Sequence, residues 1–277
     1  MTIKAERRFF RRAVSDRLPR MTAPAISLVM PTYNEAKNVA ELLRRVHDSF
    51  AGSGVAVEMI VVDDNSPDGT TKIAEGLKDR YPGLKVICRT TERGLATAVV
   101  RGWEAAGGAY FAVIDSDLQH PPDIIRRLYE AAMKENADMA IASRKVEGGG
   151  TQDWEWYRVV ISNVANIIAK ILLPKTLWGI HDTTTGCFLF KADRVNLKKL
   201  SPTGFKIFLE VLVRGKFAKN IEVPYVFNQR TEGASKMSLK QDFLFIYHLL
   251  LLGSATGEVL VPAGLAALFG LLLFRLF

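Results

Sequence analysis

The chain has 277 residues, of which 48% are hydrophobic and 24% charged, with a net charge of +8. That length holds one large α/β domain or two small ones, and the composition excludes a disordered chain. A basic balance favours anionic partners: nucleic acid, a membrane surface or phosphorylated small molecules.

Residues 1–24 form a basic segment containing Lys4, Arg7, Arg8, Arg11, Arg12, Arg17 and Arg20. No apolar run of signal-peptide length accompanies them. Arg7 to Arg12, with Phe9 and Phe10, reads either as a short helix on an anionic membrane or as a solvated terminus. "AISLVMP" (25–31) predicts a buried strand. Asn34 stands where it can cap the next helix, whose apolar positions are Val39, Leu42, Leu43, Val46 and Phe50. The strand "VEMIVVDD" (57–64), helix "TTKIAEGLKDRY" (70–81), strand "LKVICRT" (84–90), helix "LATAVVRGWEAA" (95–106) and strand "AYFAVID" (109–115) follow. A helix from Pro122 and the strand "ADMAIAS" (137–143) complete the series. This alternation predicts a mainly parallel sheet with helices on both faces. Ligands of such sheets bind beyond the carboxyl ends of the strands. "PTYNE", "DDNSPDGT" and "DSDLQH" each stand at such an end.

The later part of the chain has a different character. Arg158 and Ser162 are four apart and share one helix face. Beside them Tyr157, Val160, Ile161, Val164, Ile167, Ile168, Ile171 and Leu172 make an apolar stripe. This suits a helix at a membrane with a phosphate-binding end, or an ordinary amphipathic core helix. "EGGG" (147–150) follows Arg144 and can flex. "RTEGASKMS" (230–238) is a polar loop with two cations, suited to a lid over phosphates or to a plain surface loop. Residues 241–257 read as an amphipathic interfacial helix and 258–277 as a transmembrane helix. At ~1.5 Å per residue, the apolar run 259–277 covers about 28 Å, close to a bilayer's hydrocarbon thickness. A hairpin of two short spans and a buried core helix are the alternatives. Lys236 and Lys240 precede these runs, so the globular part, 25–240, is expected on the cytosolic side.

Three acidic strand ends at one edge of a sheet repel each other unless a cation or ligand lies among them. Asp115 and Asp117 are two apart and, in an extended strand end, face one side. With the amide oxygen of Gln119 they make either a hard-oxygen set suited to Mg²⁺ or Mn²⁺ shared with a ligand's phosphates, or a plain solvated acidic turn. Pro121 and Pro122 end ladder pairing and start the next helix. No GxGxxG follows a strand and no GxxxxGK[ST] occurs, which excludes the dinucleotide fingerprint and the P-loop. Cys88 and Cys187 lie in apolar runs without a CxxC, and the four histidines are scattered. Buried thiols in a reducing compartment are expected, and a zinc site is not. No basic stripe interleaved with aromatics supports nucleic acid.

"PTYNE", "VVDDNSPDGT", "IDSDLQHPP" and "RTEGASK", in this order and with "GFKIFLE" and "WEWYRVVIS", resemble family-2 inverting glycosyltransferases of the GT-A fold. Within them the chain is most similar to the dolichyl-phosphate (polyprenyl-phosphate) mannose synthases, over about residues 26–250. The resemblance implies transfer of mannose from GDP-mannose to dolichyl or polyprenyl phosphate at a lipid bilayer, with inversion. It implies the endoplasmic reticulum membrane in a eukaryote and the plasma membrane in a prokaryote. Pro31, Tyr33, Glu35, Val62 and Asp64 would frame the nucleotide. Asp115, Ser116, Asp117 and Gln119 would meet the donor diphosphate, with Asp115, Asp117 and Gln119 on the metal. Lys206, Arg230 and Lys236 would contact the donor phosphates. Arg144, Arg158 and Ser162 would grip the lipid phosphate, with Asp117, Arg144 and Arg158 at the chemistry. The stretch "HDTTTGCF" (181–188) keeps the family's Asp182 and Gly186 but departs at Thr183 and Cys187. Glu210 stands where some wider relatives place a base, which a dianionic phosphate acceptor does not need. A related enzyme using UDP-glucose or another donor, and a non-catalytic membrane scaffold, are the competing readings. The acidic triad argues against the scaffold.

Overall fold

The computed structural model describes residues 23–152, 154–202, 204–229 and 239–258. Seven strands form the main sheet: β1 (Ile26–Thr32), β2 (Val57–Asp63), β3 (Leu84–Cys88), β4 (Tyr110–Val113), β5 (Met139–Ser143), β7 (Phe188–Lys191) and β8 (Asn220–Pro224). Their order is β3-β2-β1-β4-β7-β5-β8, and two short strands, β6 (Gly150–Thr151) and β9 (Val226–Phe227), pair apart from it. Every pairing is parallel except those of β7, which runs antiparallel to β4 and β5. The sheet is therefore mainly parallel, as the alternation predicts, with one reversed strand that the alternation does not reveal.

Both sheet faces are covered, so the strands carry near-continuous apolar runs. Leu28, Met30, Met59 and Val61 face α1 (Val39–Phe50), α2 (Thr70–Glu75) and α4 (Ile124–Glu135). Val29, Ile60, Val62 and Phe111 face the other side. There lie α3 (Leu95–Glu104), α5 (Trp156–Leu172), α6 (Pro174–Leu177), α7 (Ile207–Arg214) and α8 (Leu239–Thr256). A side chain at Gly102 of α3 would overlap Val29 and Val62, so glycine lets that helix settle onto the sheet.

Two predicted features differ. The helix expected over 70–81 stops at Glu75, where Gly76 ends it and the chain continues in turns that bury Tyr81. Glycine is a poor helix interior residue, and the buried tyrosine repays the break. Asn34 does not cap α1. It takes φ +58°, and its N–H donates to Ser66 Oγ at 2.9 Å. The neighbouring N–H groups of Glu35 and Ala36 donate to Thr70 Oγ1 and Asp68, each at 3.0 Å. The loop after β1 is thus tied to the loop after β2 before α1 begins at Val39.

Helix α8 spans 239–256 rather than 241–257, and it is docked. Phe245, Ile246, Leu249 and Leu252 are buried in the core shared with α5 and α7, while Tyr247 and Leu251 are exposed. Among the described residues no helix is long and apolar enough to cross a membrane. The predicted span, apart from residue 258, and the basic segment 1–22 lie outside the described residues.

The order reverses between β1 and β4, whose other neighbours run off in opposite directions. Loops leaving the two strands part there and open a crevice. Because β7 runs backwards, its amino end reaches the same edge as the carboxyl ends of β4 and β5. The stretch 182–187 is thereby carried into the crevice.

Candidate active site

Strand β4 ends at Val113, and the chain turns out of the sheet at Asp115 to Gln119, with Leu118 at φ +61°. Asp117 is only 8% exposed, and its Oδ1 accepts from the Gln119 N–H at 3.2 Å. It is a buried turn residue, not the solvent-facing carboxylate that a strand end suggests. The Gln119 side-chain amide donates to the Asn228 carbonyl at 3.2 Å, which leaves its own carbonyl oxygen for an electropositive partner. The Asn228 N–H returns a bond to the Gln119 carbonyl at 2.9 Å. Ser116 Oγ donates to the Pro31 carbonyl at 2.9 Å, joining the turn to β1. Gly186 lies against the Asp115 carboxylate, which would overlap any side chain there. Two carboxylates and an amide oxygen in a cradle kept open by glycine fit a hard divalent cation. Among the described residues no set of three His, Cys, Asp or Glu side chains converges, so a cation here draws on Gln119 or a ligand's oxygens.

The second acidic strand end divides its work. Asp63, wholly buried, accepts from Thr32 Oγ1 (2.8 Å), Ser66 Oγ (2.6 Å), the Ser66 N–H (2.8 Å) and Thr71 Oγ1 (2.6 Å). It shapes the loop. Asp64 accepts from Arg89 Nε at 2.7 Å and from Arg89 Nη2, and its other oxygen takes the Gly94 N–H at 2.7 Å. Arg89 continues to Thr97 Oγ1 and the Gly94 carbonyl, both at 2.9 Å. This buried pair holds the loop from β3 to α3, which carries the Arg93 guanidinium to 5.6 Å from the Tyr33 ring centroid. Val62 is wholly buried in the core and does not line the cleft. Pro31, Tyr33 and Glu35 sit at the β1 edge, partly exposed.

Past β5 lies the cationic end. Arg144 Nε and Nη2 donate to the two oxygens of Asp182 at 2.7 and 2.9 Å, and Nη2 also to Thr184 Oγ1 at 2.9 Å. Burial alone would favour protonated Asp182, but the hydrogen bonds and charge of Arg144 outweigh it and hold the carboxyl at about 2. Lys206 donates to the Thr184 carbonyl at 2.7 Å. Burial, with Arg144's charge, lowers its ammonium to about 8, against the pull of Asp115 and Asp182. Arg158 and Ser162 lie on α5, with Arg158 5.8 Å from the Trp154 ring centroid. The stretch "EGGG" is held rather than loose, since Gly150 belongs to β6, paired with β9.

One cleft of about 1030 Å³ brings these ends together. Asp115, Asp117, Gln119, Arg144, Arg158, Ser162 and Lys206 all line it, as do Arg93 and Gly94. Arg230 and Lys236 lie outside the described residues. Glu210 is wholly buried outside the lining. It accepts from the Ser201 N–H at 2.6 Å and from Arg214, and meets His248 Nε2 at 2.9 Å. It fastens α8 to α7 and is not set as a base.

Residues 27–195 match the model for Glycosyl transferase family 2. The chain belongs to that family. The dolichol-phosphate mannosyltransferase of Pyrococcus furiosus is 42% identical over 249 residues, covering 89% of this chain and 69% of that one. The enzyme of the same name from Saccharomyces cerevisiae is 35% identical, covering 77% and 81%. The polyprenol monophosphomannose synthase of Mycolicibacterium smegmatis is 34% identical, covering 76% and 80%. Among solved structures, mannosyl-3-phosphoglycerate synthase from Rubrobacter xylanophilus superposes with a TM-score of 0.65 at 16% identity, covering 86% and 76%. Glucosyl-3-phosphoglycerate synthase from Mycobacterium tuberculosis, solved with Mn²⁺ and UDP, gives 0.59 at 17%, covering 83% and 78%. These two share the GT-A fold. The chain is thus a family 2 glycosyltransferase built on it.

Sequence reasoning misses several groups at this family 2 site. Arg89 carries the same signal as the acids, a charge closing an apolar strand, but its buried pairing with Asp64 does not show in the sequence. Arg93, His120, Trp154, Tyr225 and Phe227 also line the cleft. Tyr225 and Phe227 come from beyond β8, which pairs with β5 at the far edge of the sheet, a placement the alternation does not give. Thr183, a departure from the family pattern, donates its hydroxyl and N–H to Asn166 Oδ1 at 2.6 and 2.9 Å, which ties the loop to α5. Cys187 is core.

Proposed function

We propose that the chain transfers mannose from GDP-mannose to dolichyl or a related polyprenyl phosphate, with inversion. The observation that carries this reading is the single cleft running from the Asp115–Gln119 turn to Arg144 and Arg158. A nucleoside diphosphate and a second phosphate need such opposed ends. The curated relatives, named for the same transfer, add the sugar and the lipid.

The acceptor phosphate has a second pKa near 6 and is already a nucleophile at neutral pH. Its oxygen forms a bond to C1 of the sugar while the bond from C1 to the β-phosphate oxygen breaks and GDP leaves with the electron pair. No proton has to move, so no base is required. The difficulty is to bring two anions together. Arg144, fixed by Asp182, and Arg158 neutralise the acceptor, and Lys206 faces the leaving diphosphate. A bound Mg²⁺ or Mn²⁺, held by Asp115, Asp117 and Gln119, would supply further charge stabilisation to that diphosphate. In this proposal segment 258–277 anchors the enzyme to the membrane, with the cleft on the cytosolic side where the lipid phosphate emerges.

The anomeric configuration of the product tests the mechanism. Coupling constants at C1 should report a β-linked phosphodiester from the α-linked donor. An α-linked product would require either two successive displacements or attack on the face from which GDP leaves, and would overturn inverting displacement.

A further inference from the structure

Among the described residues, four arginine and lysine side chains line the cleft: Arg93, Arg144, Arg158 and Lys206. The transfer described above uses the last three. Arg93 is exposed and makes no ion pair or hydrogen bond among the described residues; its guanidinium lies 5.6 Å from the Tyr33 ring centroid. Its backbone is nonetheless held. Buried Arg89 donates to Asp64, to Thr97 Oγ1 and to the Gly94 carbonyl, and the Gly94 N–H donates to Asp64. Gly94 takes φ +128°, which other residues rarely adopt. Arg93 therefore stands beside the carboxyl ends of β1 and β2, whereas Arg144 follows β5 on the other side of β4 in the sheet.

That position selects what Arg93 can meet. The donor's diphosphate belongs at the acidic turn after β4, and the acceptor phosphate belongs at Arg144 and Arg158. The nucleoside extends the other way, towards β1 and β2. A guanine has two polar edges: N1–H and the 2-amino group donate, while O6 and N7 accept. Asp64 is poorly placed to read the first edge. A carboxylate has about four lone-pair sites. Arg89 Nε and Nη2 and the Gly94 N–H already occupy three on Asp64. One remaining site cannot take two donors, and uracil also offers one N–H to a carboxylate. The accepting edge is what separates the bases, because uracil has no counterpart of N7. A guanidinium is a planar fork of N–H donors that matches O6 and N7 together.

We propose that Arg93 selects the base of the donor, donating to O6 and N7 of guanine and so favouring a guanine over a uracil nucleotide. This rests on the GDP-sugar donor proposed above.

Calorimetric binding of nucleoside diphosphates to the full chain in detergent with Mg²⁺ tests this. The wild type should bind GDP more tightly than UDP. Arg93→Ala should weaken GDP binding about five- to tenfold, the low end for an arginine–guanine contact because the side chain is exposed, and leave UDP within about twofold. 7-Deaza-GDP, with a C–H in place of N7, should bind the wild type less tightly than GDP does, and R93A should bind the two equally. Inosine diphosphate keeps O6 and N7 and lacks only the 2-amino group, so the substitution should weaken it by the same factor as GDP. Equal losses of GDP and UDP would make Arg93 a phosphate contact. Unchanged GDP binding in R93A, or the same penalty for 7-deaza-GDP in both proteins, would give Arg93 no part in reading the base. Each of these overturns the proposal and leaves the donor assignment standing. A wild type that prefers UDP would overturn the donor assignment, and the proposal with it.

Discussion

Replacing Asp182 with asparagine should cost the fold a pH-dependent increment of stability. Asp182 is wholly buried, and both oxygens are taken by Arg144, with Thr184 adding two weaker bonds at 3.1 and 3.2 Å. Its carboxyl is held at about 2 against an ordinary 3.8. A depression of that size is worth about 2.5 kcal/mol of preference for the ionised form in the folded chain. Because the folded value is the lower one, the contribution is complete above the ordinary carboxylate range and is lost as pH falls through about 4 towards 2. Equilibrium urea unfolding at pH 7 should therefore find D182N about 2–3 kcal/mol less stable, since Arg144 is left buried beside a neutral amide. The gap should narrow steadily below pH 4. A D182N chain as stable as the wild type at pH 7, or a gap unchanged from pH 7 to pH 3, would refute the reasoning. Activity provides an independent check. An arginine that loses its brace should raise the KM for lipid phosphate more than that for the donor.

Other substitutions probe the remaining parts of the site. D117N keeps the turn's hydrogen-bonding volume but removes a charge, so transfer should fall to background while the thermal midpoint shifts little. Near-normal activity in D117N, or in excess chelator, would remove the metal from the account. R158A should raise the lipid-phosphate KM about ten- to a hundredfold, matching the loss of a charge-assisted bond worth about 1.5–3 kcal/mol. Equal effects on both substrates would make Arg158 structural. E210Q should retain turnover while lowering stability in an unfolding curve, because Glu210 fastens α8 through His248 and does not face the cleft. A large loss of kcat at unchanged stability would restore it as a base.

Much of the site is legible in the sequence because charge at the end of an apolar strand has few structural explanations. Asp115, Asp117 and Arg144 all carry that signal and all line the cleft. Partner choice is not legible in the same way. Asp63 and Asp64 look alike in the chain, yet one ties a loop and the other is consumed by Arg89 and the Gly94 N–H. Asn34 has a capping residue's chemistry, but the hydrogen bonds available from Ser66, Thr70 and Asp68 win over an early helix start. The reversed strand "FLFK" is four residues whose sequence gives no direction, and β8, which leads to Tyr225 beside His120, pairs with β5 at the sheet's far edge, a placement the alternation does not give.

Radiolabelled sugar transfer to dolichyl phosphate from a panel of nucleotide sugars tests the central claim most directly. The full-length protein in detergent with Mg²⁺ or Mn²⁺ should label the lipid from GDP-mannose far faster than from GDP-glucose, UDP-glucose or UDP-galactose. D117N should label it from none. Faster labelling from a UDP-sugar than from GDP-mannose, or no labelling from any donor, would contradict the account.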